Sequence, residues 1–297
     1  MPSISASLSD QIITQKAIEA FVAELAPLRA FSTDFSGETA AKGAAIQVPI
    51  PANITAGTTE NAYETEDTGP LNVATVPLTS YAKATAGLTD KQFANSSAAR
   101  LEIFAVQQAR AVARKIITDA WALVIAATYT QVVVKALASF TSADVRAMRV
   151  ILDKANVPVS DRALILFPDQ YDKLTGDTTI AIASALHYGG PEVVRDGLIP
   201  KFLGFEMFNS NIMPQNGQNL VGFAVHPSAM AIAVRSLVPQ EPSEYLESRI
   251  VTHESTGIGL GYRRHYSAAK GTHYCTFEAI YGAVAANPTG LCRLVTA

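Results

Sequence analysis

The chain has 297 residues, a length that suits one or two domains with a sizeable core. Apolar residues make up 48% and charged residues 16%, below the quarter or so usual in a globular chain. So little charge points to a surface that partners cover, and a net charge of −3 argues against a sequence-reading nucleic-acid binder, which would carry a basic patch.

Residues 10–25 read as an amphipathic helix, with Ile18, Phe21, Val22 and Leu25 on one face and Pro27 ending it. From 31 to 86 glycine, proline and threonine predominate, and residues 45–49 and 73–80 alternate like strands. Between those runs, residues 53–70 form a polar, acidic stretch. This region reads as two extended arms joined by a long exposed tip that lies on a neighbouring subunit, because a structureless loop of that length is unusual inside a compact domain. Residues 90–129 hold no Gly or Pro, and apolar residues recur at Phe93, Leu101, Phe104, Val112, Ile116, Ala120, Leu123 and Ala127. They predict one very long helix on the order of 50 Å, capped at Asp90 or Ser96.

The middle alternates helices and strands. Thr141 or Ser142 caps a helix to about Ala155, residues 162–167 form a short strand, and Pro168 opens another helix. Residues 178–186 are a further helix candidate, 202–208 and 220–224 are strands, and Pro227 opens a short helix containing Met230. From 247 onward the chain is β-rich: residues 249–253, 257–266 and 273–281 alternate with period two, with Gly271 in the last turn.

No constellation carries chemistry. The run Gly257-Ile-Gly-Leu-Gly261 lacks the following helix that a phosphate loop needs. His253, His265, His273 and Cys275 lack metal-ligand spacing. Glu60, Glu64, Glu66 and Asp67 lie in the most polar stretch of the chain, where no burial would raise a carboxyl pKa for acid–base work. They suit an exposed tip or a contact with basic groups on a neighbour. Arg110, Arg114 and Lys115, then Arg263 and Arg264, are small basic groups that read as a solvated helix face and a strand end. His187 and His226 read as structural. Cys275 and Cys292 read as free thiols in a reducing compartment. The first ten residues lack the basic and apolar regions of a secretory signal. The longest apolar stretch, 121–134, is too short and polar to span a bilayer. Catalytic, cofactor and metal residues are therefore expected to be none.

The order of elements, with several ordered motifs, resembles the major capsid proteins of tailed double-stranded DNA bacteriophages, of the Hong Kong-type capsid fold and most like podovirus-like coat proteins. The motifs are Val157-Pro-Val-Ser-Asp-Arg162, then Ala163-Leu-Ile-Leu-Phe-Pro168 and Tyr171-Asp-Lys-Leu174; Gly204 to Pro214; Phe223 to Arg235; Glu254 to Tyr266; and Glu278-Ala-Ile-Tyr-Gly282.

The resemblance implies an α+β fold divided as 1–30 N-terminal arm helix, 31–89 extended arm and loop, 90–139 spine helix and peripheral domain, 140–238 axial domain, and 239–297 β-rich part of the peripheral domain. It implies a non-enzymatic virion protein that forms hexamers and pentamers and is assembled in the host cytoplasm. That shell would enclose double-stranded DNA without sequence-specific binding and without a membrane. Because the chain begins at its first helix, a separate scaffolding protein is expected, together with a portal protein. Glu60, Glu64, Glu66, Asp67, Lys83, Arg110 and Arg114 are the candidate inter-subunit contacts. Lys83 and Asn287 invite a cross-link reading that no motif supports. The alternatives are an encapsulin-like nanocompartment shell and, more distantly, an α/β enzyme with no recognisable site.

Overall fold

A computed structural model describes residues 6–41, 43–50, 73–94, 98–177, 199, 201–214, 216–237, 245–254 and 256–296. The acidic stretch 53–70 and the helix candidate 178–186 lie outside these residues. The chain opens with α1 (Ala6–Glu24), which buries Ile18, Phe21 and Val22; Pro27 follows in a short 3-10 turn. β1 (Ser32–Ala40) leads to β2 (Ala45–Pro49) and β3 (Val73–Pro77), an antiparallel pair in which Ala45 faces Pro77 and Pro49 faces Val73. β4 (Ser80–Thr89) runs into α2 (Asp90–Ala94) and α3 (Ala98–Trp121).

The single helix expected over 90–129 is therefore corrected: α3 has 24 residues, about 36 Å, and ends at Trp121. No Gly or Pro stops it; tertiary contacts do. The Ala126 amide donates to Gln218 Oε1, and the buried Tyr129 hydroxyl donates to the Ala229 carbonyl at 2.8 Å. The Tyr129 carbonyl accepts from Arg293 Nε at 2.7 Å, which holds the chain against β14. Phe104, expected on the apolar face, stands 50% exposed.

After the helix come β5 (Val132–Val134), α4 (Ser142–Lys154), β6 (Ala163–Leu166) and α5 (Pro168–Thr175). Thr141 caps α4 in a reciprocal box with Asp144, and Pro168 sits in the first turn of α5. The strand expected over 202–208 is a hairpin, β7 (Lys201–Phe202) and β8 (Phe205–Asn209). Leu203 and Gly204 both have positive φ, at 51° and 87°, the geometry of a tight two-residue turn. β9 (Leu220–Val225) follows. Pro227–Ala229 is one 3-10 turn, and Met230, placed in a helix by the sequence, instead begins β10 (Met230–Leu237). β11 (Glu247–Thr252), β12 (Gly259–Ser267), β13 (Thr272–Ala285) and β14 (Leu291–Val295) complete the chain.

Two six-stranded sheets organise these elements. The first has the order β1-β10-β13-β12-β11, with β4 also paired to β13. β1 joins β10 in parallel, and Arg235 of β10 clamps it by binding the Asp34 carboxylate at 2.9 Å and the Asp34 carbonyl at 2.8 Å. The expected arms are thus narrower than 31–86, because β1 and β4 are built into this sheet. Helices α1 and α3 cover one face, packing with Tyr262, Phe277, Ala279 and Tyr281. On the other face, Val48, Val76 and Leu78 of the β2–β3 region rest on Ala231, Ala233 and Ile280.

The second sheet has the order β5-β14-β9-β6-β8-β7. Leu164, Leu166, Cys292 and Leu294 face α4 and α5, while Ala163, Ile165, Phe223 and Leu291 face the main core. There Trp121 meets Phe223 edge-on at 5.7 Å. Cys292 is buried in this sheet, and burial pushes its thiol up to about 12. β5 and β14 belong to the second sheet and β10 to the first.

Candidate functional site

The face of the first sheet turned away from α1 and α3 carries a cluster of polar and aromatic side chains. Period-two geometry puts Tyr81, Lys83 and Thr85 of β4 on that face, with Arg263 and His265 of β12 and Tyr274, Thr276 and Glu278 of β13. Together with Tyr245, Tyr266 and Lys270 they line an open trough of about 620 Å³. In register, Lys83 stands beside Glu278, Thr85 beside Thr276 at 2.9 Å, and His265 beside Tyr274. Two glycines make room. A Cβ on Gly261 would lie 3.1 Å from Glu278 Cγ, and one on Gly87 would lie 2.9 Å from the Tyr274 ring.

Glu278 forms the floor and is 2% exposed. Arg263 approaches its Oε1 at 2.5 Å, and the Tyr81 hydroxyl donates to its Oε2 at 2.5 Å. Burial first, and then this carboxylate, hold the Tyr81 phenol well above its ordinary pKa. The Arg263 guanidinium lies over the Tyr245 ring at 5.3 Å. Tyr245 meets His265 edge-on at 6.3 Å, and His265 stacks on Tyr274 at 5.2 Å. These rings brace one another into a fixed wall. The arrangement leaves Lys83 and Lys270 as exposed cations beside a buried ion pair.

The other sequence candidates are scattered. Arg114, on α3, binds Glu24 of α1 at 2.8 Å and ties the two helices together. Arg110 is exposed on the same helix. Glu60, Glu64, Glu66 and Asp67 lie outside the described residues. His273 and Cys275 share the helix-covered face, but His265 pairs with Tyr274 and so points to the opposite side of the sheet, which parts the histidines and cysteine considered for a metal. Among the described residues no group of three or more His, Cys, Asp or Glu is placed to hold a metal, and no helix is long and apolar enough to cross a membrane. Gly257 has a positive φ of 69° in the turn before β12, so the glycine run enters a strand. Asn287 caps the last 3-10 turn, accepting from the Thr289 amide. Sequence reasoning had Lys83 and Arg263 but missed their convergence with Tyr81, Tyr245, Lys270 and Tyr274. The period-two alternation of β12 and β13 was the available signal.

Comparison with known proteins agrees with this architecture. The profile of a family described as phage capsid protein matches residues 72–293. No curated protein is matched by the sequence. Among solved structures, one from Mycobacterium phage Che8 is similar with a TM-score of 0.55 and 16% identity, covering 85% of each chain. The capsid structure of the cyanophage P-SCSP1u gives 0.57 and 16%, covering 90% of this chain and 86% of that one. A virus-like particle from Pyrococcus furiosus gives 0.50 and 9%, covering 93% and 96%. At these identities the likeness concerns the fold, which is the Hong Kong-type capsid fold expected from the sequence.

Proposed function

The chain belongs to the phage capsid protein family, and from that premise we propose that it is the major shell subunit of a tailed-phage head. Copies assemble into hexamers and pentamers that close into an icosahedral shell around packaged double-stranded DNA. The observation that carries this reading is the family match over residues 72–293, joined to a fold shared with phage structures over 85% to 90% of the chain.

The physics of the chain supports it. A shell holds through many modest contacts repeated around rings. A net charge of −3 limits repulsion between hundreds of like copies. DNA is held by confinement with its counterions, without a sequence-reading surface. The acidic tip 60–67 and the exposed Lys83, Arg110 and Arg114 act as contacts between copies. A scaffolding protein guides closure and a portal protein occupies one vertex. The particle is built in the host cytoplasm, and the chain performs no catalysis.

The likeness to the Pyrococcus furiosus particle supports a second reading, a nanocompartment shell. Particles purified from cells expressing the chain with its neighbouring gene products separate the two. The phage reading expects nuclease-protected DNA and one portal vertex. Small uniform shells enclosing a cargo protein would transfer the assignment to the compartment.

A further inference from the structure

We propose that the trough on the first sheet is a binding site for a short run of acidic saccharide. Its sugar rings lie along the tyrosines, and its carboxylates meet Lys83 and Lys270. This goes beyond the shell reading and does not depend on it.

The first argument is what the sheet leaves available. From Thr272 to Glu278, β13 is paired with β4 on one side and with β12 on the other. The backbone groups beneath the trough are therefore spent on the ladders. A peptide read through its main chain needs a free sheet edge; here only side chains can do the reading. Those side chains include groups that both donate and accept, the Thr85–Thr276 hydroxyl pair and the Tyr81 phenol. Beside them stand the rings of Tyr81 and Tyr266, 36% and 41% exposed. Such a mixture suits a ligand with hydroxyls on its edges and C–H groups on its faces, because sugar C–H bonds rest well on the electron-rich face of an aromatic ring.

The second argument is charge. The trough sets Lys83, Arg263 and Lys270 against one carboxylate, Glu278, which is already answered by Arg263 and Tyr81. Lys83 and Lys270 are exposed and enter no ion pair among the described residues. Lys83 faces Glu278 and Lys270 precedes Thr272, so the two cations mark the ends of a track about 20 Å long beside β13. They favour an anionic ligand over a neutral one. The floor carboxylate opposes the closely spaced phosphates of a nucleic acid, and His265 and Tyr274 stack on each other, not open to bases.

The third argument is form. Gly87 and Gly261 lie on this face where a Cβ would press on the Tyr274 ring and on Glu278, so the hollow depends on them. The wall of Tyr245, His265 and Tyr274 is fixed by ring contacts, and little ordering is lost on binding. The volume of about 620 Å³ suits a small ligand.

Saturation-transfer NMR on the full chain tests this, with pentagalacturonate as the probe. Because Lys83 also stands among the contacts proposed between copies, binding is read on dilute subunits before assembly. Wild type should saturate the sugar protons with a Kd of about millimolar order, weakening with salt. Lys83→Gln/Lys270→Gln should lower affinity about tenfold or more at low salt with unchanged melting temperature, and Lys83→Arg/Lys270→Arg should restore it. No saturation with wild type would overturn the proposal. So would binding that the glutamine pair leaves intact, or equal binding of neutral maltopentaose. Tighter binding of oligothymidylate or of a hexaglutamate peptide, lost in the glutamine pair, would give the face to nucleic acid or to peptide instead. Particle formation is scored separately by microscopy, so the shell reading stands or falls on its own.

Discussion

Two buried polar residues show how single side chains are held in this chain. Glu278 has its charge met by Arg263 and by the Tyr81 hydroxyl, the arrangement that a buried carboxylate requires. His226 is 3% exposed; its Nδ1 accepts from the Ser228 amide at 3.2 Å and lies 2.9 Å from the Ser228 hydroxyl. Burial first, then the nearby Arg162, pushes His226 below its ordinary 6.5, against a smaller opposing effect of Asp161. The unfolded chain therefore binds a proton that the folded chain refuses, and the sign follows. This contribution is fully present above the unfolded value of 6.5 and is lost as pH falls below it. Urea unfolding at about pH 7 and about pH 5 should show a smaller acid loss for His226→Asn, which keeps an acceptor for Ser228 but cannot titrate. Equal losses in the two proteins would remove His226 from the acid response.

At the scale of elements, the packing of β3 across the first sheet depends on Gly282. A Cβ there would sit against the Pro77 carbonyl and 2.9 Å from Val76 Cγ1. Gly282→Val should lift β3 from Ile280 and destabilise the fold by about 1–3 kcal/mol, with faster amide exchange over 73–77. Unchanged thermal stability would show that β3 does not rest there.

The same scale shows what the sequence made legible. α4 and α5 were readable because Thr141 with Asp144 and Pro168 are local signals. The end of α3 was not, because Gln218 and Ala229, which hold the chain after Trp121, lie far along the sequence. The turn between β7 and β8 was hidden by Leu203, a residue that rarely takes positive φ, although Gly204 marked the spot. For the trough, alternation in β12 and β13 was visible. The meeting of Lys83 with Glu278, 195 residues apart, depends on strand topology that no local pattern encodes.

For the whole molecule, the two sheets share one core through Trp121 and Phe223, so both grip the same central packing. Among the described residues the edge strands are β1, β4 and β11 in the first sheet and β5 and β7 in the second. These surfaces are spread along the subunit, as expected of a protein whose work is assembly. Electron microscopy of the expressed chain, alone and with its neighbouring gene products, tests the central claim most directly. The account predicts closed particles with fivefold and sixfold clusters of subunits. A compact monomer that persists at high concentration under both conditions would contradict it.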